Sequence, residues 1–366
     1  MKIIVIGTRG VPDIAGGVET ICQGLYPEIV KLGHEVTIVR RTPYVNKNKI
    51  FKTYKGIKLV DLYAPKIKSI EAILHTFIAT VYAIIKRPDI LHIHTIGPAI
   101  FSPLARLFGL KVIVTSQGPD YDREKWGRVA KYILKKGEKY SAKYAHEVIG
   151  VSNVIDNIYK ELYSRNNCHV IYNGVTLPVL ARSNDYITSL GLEKNKYIIG
   201  CARFVEEKGF HDLINAYLKQ SNREFKLVLV GDAIHETQYS KDIKKRAKQN
   251  GIIITGFISG NKLNEIFSHA NLFIMPSYHE GLPLALLEAM SYNLDILVSN
   301  IPANLEVGLK KDDYFLVGNV NDLSKKMNEK LAISKARDFS SIILDKYNWE
   351  IIASQTIEVY RLANKK

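Results

Sequence analysis

Cysteine and long apolar runs are scarce in this 366-residue sequence. Its three cysteines, Cys22, Cys168 and Cys201, are odd in number and share no metal-like spacing. That argues against a disulfide framework or a zinc site and suits a reducing cytoplasm. No apolar run reaches the roughly 20 residues that a membrane-spanning helix requires. The most apolar stretch, residues 69–85, contains Glu71 and His75 and is flanked by Lys66, Lys68, Lys86 and Arg87. It reads as an amphipathic helix that is half core, with an interfacial position as the alternative. The second half, where the donor is expected, has no compact acidic motif such as Asp-x-Asp to hold magnesium, and no metal is expected. The N-terminus, Met1-Lys-Ile-Ile-Val-Ile-Gly7, reads as a buried strand with no small-residue cleavage site after it. A signal peptide is therefore not expected.

Acidic residues are scarce in one half only. Residues 1–182 carry 27 Lys+Arg against 14 Asp+Glu, and residues 183–366 carry 24 against 22, so +13 of the net +15 lies in the first half. One-sided charge points to an anionic partner for that half. The densest stretch, residues 123–143, has eight Lys+Arg against two Asp+Glu, interleaved with Trp126, Tyr132, Ile133, Leu134 and Tyr140. A basic, aromatic-bearing helix of this kind suits an anionic membrane surface. A solvated helix face is the plain alternative. Nucleic-acid binding is a third, but no recognised binding module surrounds the stretch.

What is present is alternation. Strand patterns at residues 2–7, 35–40, 57–63, 90–94, 111–116, 147–151 and 169–172 are separated by helical periodicity at 18–32, 69–86, 99–108 and 155–162 and by the basic helix. Residues 173–195, with Pro178, Ser183 and Asn184, break the rhythm. Alternation restarts at 197–202 and runs through 295–298, and residues 349–362 close with an amphipathic helix. The fold expected is α/β, two doubly wound parallel-sheet domains. The boundaries expected are 1–182, a linker at 183–195, 196–348, and a terminal helix at 349–366. Ligands of such folds bind at the carboxyl ends of the strands, here in a cleft between domains.

Three segments carry candidate chemistry. The loop Gly7-Thr-Arg-Gly10-Val-Pro-Asp-Ile-Ala-Gly16-Gly17-Val-Glu19 follows the first strand and leads into a helix. Four glycines in eleven residues allow close backbone approach and free N–H groups for an anion. The spacing is not the dinucleotide fingerprint. In the second half, Cys201-Ala-Arg203-Phe-Val-Glu-Glu-Lys208-Gly209 places two cations between a strand and a helix, where they can neutralise a diphosphate in place of a metal. Finally, Glu280 and Glu288 stand in His279-Glu-Gly-Leu-Pro-Leu-Ala-Leu-Leu-Glu-Ala-Met290. Pro283 suits a first helical turn, so a helix N-terminus is expected between the two acids. Acid, phosphate site, acid is a layout that fits a nucleotide-sugar.

With these residues in place, the chain resembles the retaining nucleotide-sugar glycosyltransferases of the GT-B fold, the large fourth family, almost end to end. The match includes the glycine loop, Arg203 and Lys208, Val230-Gly-Asp232, Ile254-Thr-Gly256, Met275-Pro-Ser277, the double-glutamate run and Tyr347-Asn-Trp349-Glu. The glycine loop, Gly97-Pro-Ala-Ile-Phe-Ser-Pro103 and Gly118-Pro-Asp-Tyr-Asp-Arg-Glu-Lys-Trp126 look like a bacterial subgroup linked to rhamnosyl- and other transferases of surface polysaccharides.

The resemblance implies roles. Arg203 and Lys208 would hold the diphosphate, and Glu280 would contact the donor sugar. Gly281 and Leu282 would offer backbone N–H groups, Glu288 would bind ribose hydroxyls, and Phe257 and Ile258 would meet the base. Gly16 and Gly17 would lie against the donor phosphate or the acceptor. Where the family often has Thr-x-His-Gly, this chain reads Thr115-Ser-Gln117-Gly118. Glutamine hydrogen-bonds but carries no proton at neutral pH, so Asp120 is the candidate to act on the acceptor hydroxyl. Of the two strand-end histidines His92 and His94, His94 is the active-site candidate.

The function these readings give is retaining, metal-independent sugar transfer from a nucleoside diphosphate donor to a glycan acceptor. The acceptor expected is linked to a polyprenyl diphosphate or similar lipid, in capsule or O-antigen synthesis. No cofactor is required, no nucleic acid is a partner, and the place of work is the cytoplasmic face of a bacterial plasma membrane. A GT-B epimerase, which would turn over its nucleotide-sugar without an acceptor, and a noncatalytic partner subunit are the alternatives.

Overall fold

A computed structural model describes all residues except 15, 46–50, 68–69, 120, 122–126, 221–223, 334–336 and 366. The chain divides into two compact units: Met1–Gly174 with Lys346–Lys366, and Val175–Asp345.

The first unit holds β1 (Lys2–Ile6), β2 (Glu35–Arg41), β3 (Thr53–Tyr54), β4 (Ile57–Leu62), β5 (Ile90–His94), β6 (Val112–Ser116), β7 (Glu147–Gly150) and β8 (Cys168–Val170). They form one sheet in the order β3-β4-β2-β1-β5-β6-β7-β8, parallel except for the β3–β4 pair. Its helices are α1 (Gly17–Lys31), α2 (Glu71–Lys86), α3 (Ser102–Leu107), α4 (Arg128–Tyr144) and α5 (Asn153–Tyr163). β5 and β6 are buried along their whole length, which is why they read as unbroken apolar or uncharged runs rather than alternating ones. The chain builds outward from β1 in one direction and from β5 in the other. The glycine loop after β1 therefore opens where the strand order reverses.

The second unit holds α6 (Asp185–Ser189), β9 (Tyr197–Cys201), α7 (Phe210–Leu218), β10 (Lys226–Val230), α8 (Gln238–Gln249), β11 (Ile253–Gly256) and α9 (Gly260–Ser268). It continues with β12 (Leu272–Met275), α10 (Leu284–Ser291), β13 (Asp295–Ser299), α11 (Pro302–Leu305), β14 (Tyr314–Phe315), α12 (Val320–Ala332) and α13 (Ser340–Lys346). The sheet order is β11-β10-β9-β12-β13-β14, all parallel. Ile198, Phe204, Phe210, Leu213, Leu229, Ile274 and Leu297 form part of its core. The reversal falls between β9 and β12, so the Arg203–Lys208 loop and the Glu280 loop leave the sheet from neighbouring strands.

The last helix, α14 (Trp349–Lys365), packs on α1 in the first unit. Trp349 is wedged there: a Cβ on Gly24 would stand 2.2 Å from its ring, and one on Gly174 2.5 Å. The indole needs both positions to lack a side chain.

The structure adds detail in three stretches. Residues 183–195, expected as the linker, carry packed structure. α6 packs on α9, Ile187 and Leu192 are buried, and Glu265 accepts the Ile187 N–H at 2.9 Å. The break falls between Gly174 and Val175, within the irregular stretch 171–184. Residues 99–108 are not one helix but a 3₁₀ turn, Pro98–Phe101, followed by α3. α12, unread in the sequence because its surface is polar, buries Leu323 and Met327 against the sheet, and Asn319 caps it through the N–H groups of Asn321 and Asp322.

Candidate functional site

In the second unit the loops after β9 and β12 lock together. Gly209 has φ 66, and a Cβ there would stand 2.2 Å from the Pro276 carbonyl oxygen. Only glycine permits so close an approach in that conformation. Alongside it the Tyr278 N–H donates to the Glu207 carbonyl at 2.9 Å. The result is a charged pair: Lys208 Nζ donates to Glu280 Oε1 at 2.6 Å, and Ser277 Oγ donates to the same oxygen at 2.8 Å. The Lys208 and Glu280 side chains are 14% and 12% exposed, so their attraction is less screened than at a free surface. Glu280 Oε2 accepts no hydrogen bond from the described residues, which leaves it available to a ligand hydroxyl.

Arg203 lies in the same loop, and its neighbours fix its backbone. The Ala202 N–H donates to Val230 O and the Phe204 N–H to Asp232 O, each at 3.1 Å, while the Phe204 ring is buried in the core. Arg203 thus sits on a pinned segment of the loop that also carries Lys208.

α10 begins at Leu284, with Pro283 as the residue before it; the Pro283 carbonyl accepts the N–H groups of Leu286 and Leu287. A helix N-terminus therefore separates Glu280 from Glu288 in the chain, with Gly281 and the buried Leu282 in the approach. The N–H groups of Leu284 and Ala285 have no carbonyl one turn behind them. Glu288 is the fifth residue of α10. Burial pushes its carboxyl up to about 7. Its charge adds to burial in raising the Cys201 thiol and in raising Tyr292 to about 12, which sets Glu288 beside the end of β9. Phe257 and Ile258 follow β11. Their loop is drawn toward β10 by the Gly231 N–H donating to the Gly256 carbonyl at 3.1 Å, and the Phe257 ring is exposed.

In the first unit, Gly16 precedes α1 and Gly17 is its first residue. Glu19 organises the loop around them: its Oε1 accepts from Thr8 Oγ1 at 3.1 Å and from the Arg9 N–H at 2.7 Å. Gln117 follows β6. Its Oε1 accepts from Asn173 Nδ2 at 3.2 Å, and its buried Nε2 has no partner among the described residues. His94 is placed differently from an exposed catalytic group. It is buried, stacked on His92 at 4.4 Å, with Nε2 2.6 Å from Tyr26 Oη. Burial lowers it to about 3, so the ring is neutral at physiological pH. His92 joins the network through Tyr26, Thr115 and, at 2.6 Å, Tyr360 of α14. These histidines tie α1, the sheet and α14 together. Asp120 lies outside the described residues, as do residues 122–126 of the basic aromatic stretch, including Trp126.

Supporting residues escaped the sequence reading. Ser277 and Glu19 were visible only as members of motifs. Asp212, which accepts from Tyr278 Oη at 2.5 Å and so anchors the Glu280 loop to α7, gave no signal, because nothing in one dimension pairs residues 66 apart.

Comparison with known proteins agrees with this architecture. Residues 15–177 match the family described as "Glycosyltransferase Family 4", and residues 183–340 the one described as "Glycosyl transferases group 1". An uncharacterized glycosyltransferase of Methanocaldococcus jannaschii is 24% identical across 99% of this chain and 98% of its own. The UDP-Gal:alpha-D-GlcNAc-diphosphoundecaprenol alpha-1,3-galactosyltransferase of Escherichia coli is 29% identical across 68% of this chain and 67% of its own. In structure, sucrose-phosphate synthase from Thermosynechococcus elongatus superposes with a TM-score of 0.83 at 19% identity, covering 98% of both chains. Taken with two doubly wound sheets and family matches to both halves, these likenesses place the chain in the GT-B glycosyltransferase superfamily of group 1 and family 4.

Proposed function

We propose that the protein transfers a sugar from a nucleoside diphosphate donor to an acceptor hydroxyl with retention at the anomeric carbon. The observation that carries the proposal is the ion pair of Lys208 with Glu280, the latter standing in sequence just ahead of the α10 N-terminus. Arg203, Lys208 and the helix N-terminus supply positive charge to the diphosphate, where negative charge grows as the anomeric C–O bond breaks. Glu280 holds sugar hydroxyls through Oε2, and Glu288 holds the ribose. The acceptor oxygen forms the new bond to the anomeric carbon, and its proton passes to the departing phosphate oxygen. In this reading no metal is needed, because the two cations take its place. Gly16, Gly17, Gln117 and Asp120 belong to the acceptor side. The unpartnered Gln117 Nε2 supports a ligand contact there.

The acceptor we infer is a lipid-linked glycan of a bacterial surface polysaccharide, used at the cytoplasmic face of the membrane. The name of the Escherichia coli relative, whose acceptor is an alpha-D-GlcNAc-diphosphoundecaprenol, supports this. So does the excess of positive charge in residues 1–182. The test is a thermal-shift and nucleotide-release screen over UDP-, GDP- and dTDP-sugars, with and without EDTA. One donor class is expected to raise the melting temperature and release nucleotide in both conditions, and Arg203→Ala to lose the shift. No shift with any nucleoside diphosphate would contradict the proposal.

A further inference from the structure

Helix α2 leaves part of its apolar surface uncovered. Its buried positions are His75, Thr76, Ala79, Thr80 and Ala83, all small or polar. Leu74, Ile78, Val81 and Ile84 are half-buried, whereas Ile73 is 38% exposed, Phe77 44% and Ile85 71%. Ile70, just before the helix, continues the same stripe. An ordinary surface helix turns its large apolar residues inward. The neighbouring elements extend the pattern. α2 packs on the Pro98–Phe101 turn and on α3, with the Phe77 and Phe101 rings 5.8 Å apart, and α3 packs on α4. α3 ends in Leu107, 80% exposed, followed by exposed Phe108, and α4 presents Val129 at 74% and Tyr132 at 62%. A contiguous exposed apolar surface on a stable fold marks an interaction site.

The charge around that surface says what covers it. Lys66, Lys86, Arg87 and Arg106 rim α2 and α3 and are exposed, and Arg128, Lys135, Lys139 and Lys143 line the open side of α4. The acids of these helices are withdrawn: Glu71 is engaged by Arg41 and Tyr44, and Glu138 is buried, accepting from Tyr121 and Tyr163. Apolar side chains at the centre, with edge cations that pair with no acid among the described residues, match the boundary between acyl chains and anionic headgroups. A second copy of the chain would bring the same cations to the interface and be repelled. No described helix is long and apolar enough to cross a membrane, so α2 would lie in the surface plane.

We propose that the face formed by α2, α3 and α4 docks the first unit onto an anionic lipid bilayer, with Ile73, Phe77 and Leu107 entering the acyl boundary and α4 contacting headgroups. This rests on the reading of a membrane-borne acceptor and adds which surface meets the membrane and how. Insertion is the main contribution, so binding persists in part at high salt.

The test is co-sedimentation of the full chain with vesicles of 30% phosphatidylglycerol in phosphatidylcholine, at low and high salt. Wild type is expected to bind at low salt and keep a measurable fraction bound in 0.5 M salt. Phe77→Asp with Leu107→Asp is expected to bind at least tenfold more weakly, with an unchanged melting temperature. Lys135→Glu with Lys139→Glu is expected to remove only the salt-sensitive part. Wild-type binding by the double aspartate variant, or complete loss of wild-type binding in 0.5 M salt, would overturn the proposal. So would a wild-type dimer that Phe77→Asp converts to monomer. The thermal shift with nucleoside diphosphates, read on the same variants, is expected to stay at the wild-type value. Loss of donor binding in wild type would count against the transferase reading instead.

Discussion

Glu288 is asked to do two things that conflict. Its carboxyl is drawn into the end of β9 far enough that burial raises it to about 7. Between the ordinary carboxyl value and about 7, the unfolded chain gives up the proton while the folded chain keeps it. Glu288 therefore opposes folding more and more as pH rises through that window. A residue held at such a cost is a functional candidate. Glu288→Gln is expected to match wild type near pH 4 and to be more stable at pH 8, by up to about 3 kcal/mol. At pH 8 it should also bind nucleotide about tenfold more weakly, the loss of roughly one charge-assisted hydrogen bond. Melting and titration at the two pH values check both. A variant less stable than wild type at pH 8 would contradict the assignment.

The residues differ in how far the sequence exposed them. The double-glutamate run and the Arg203–Lys208 loop announce themselves by composition at a strand–helix junction. Their contact at 2.6 Å does not, because it depends on Gly209 pressing against Pro276 across the sheet reversal. His94 shows in the sequence only as a strand-end histidine. In the structure Tyr26 partners its Nε2 and His92 gives it a stacking face, while its buried Nδ1 has no partner among the described residues.

Among the elements, α14 shows what chain order conceals. Its amphipathic pattern predicts a buried face, and Trp349 between Gly24 and Gly174 fixes where that face goes. Trp349→Ala would leave a cavity the size of an indole against two backbones that lack side chains to fill it. The expected cost is about 3–5 kcal/mol in the stability of the first unit, read by denaturant titration. A loss under about 1 kcal/mol would mean that α14 is held by other contacts. α2 carries the opposite lesson. Its helical period was plain, but period alone does not say which face is buried. Small residues at 76, 79, 80 and 83 allow α2 to lie close to the sheet and leave Ile73, Phe77 and Ile85 outside. α6 and α12 went unread because each has only a few apolar residues in a polar background, and tertiary packing decides them.

Across the whole molecule, alternation of strands and helices made the two parallel sheets legible, since fully buried strands must be apolar runs separated by covering helices. Residues 183–195 look like connector in composition, yet Ile187 and Leu192 are core. Identity of the transferred sugar is written in side-chain directions, which no spacing records. The central claim is that this fold uses Glu280, oriented by Lys208, to move a sugar with retention from a nucleoside diphosphate. Proton NMR of the reaction with the donor selected by the screen and a lipid-diphosphate glycan acceptor tests it most directly. Wild type is expected to give a product whose new anomeric centre has the donor's configuration, and Glu280→Gln to slow its formation by about 10²–10³-fold, as for loss of one preorganised group in a transition state. A product of inverted configuration, or a Glu280→Gln protein that transfers at the wild-type rate, would contradict the account.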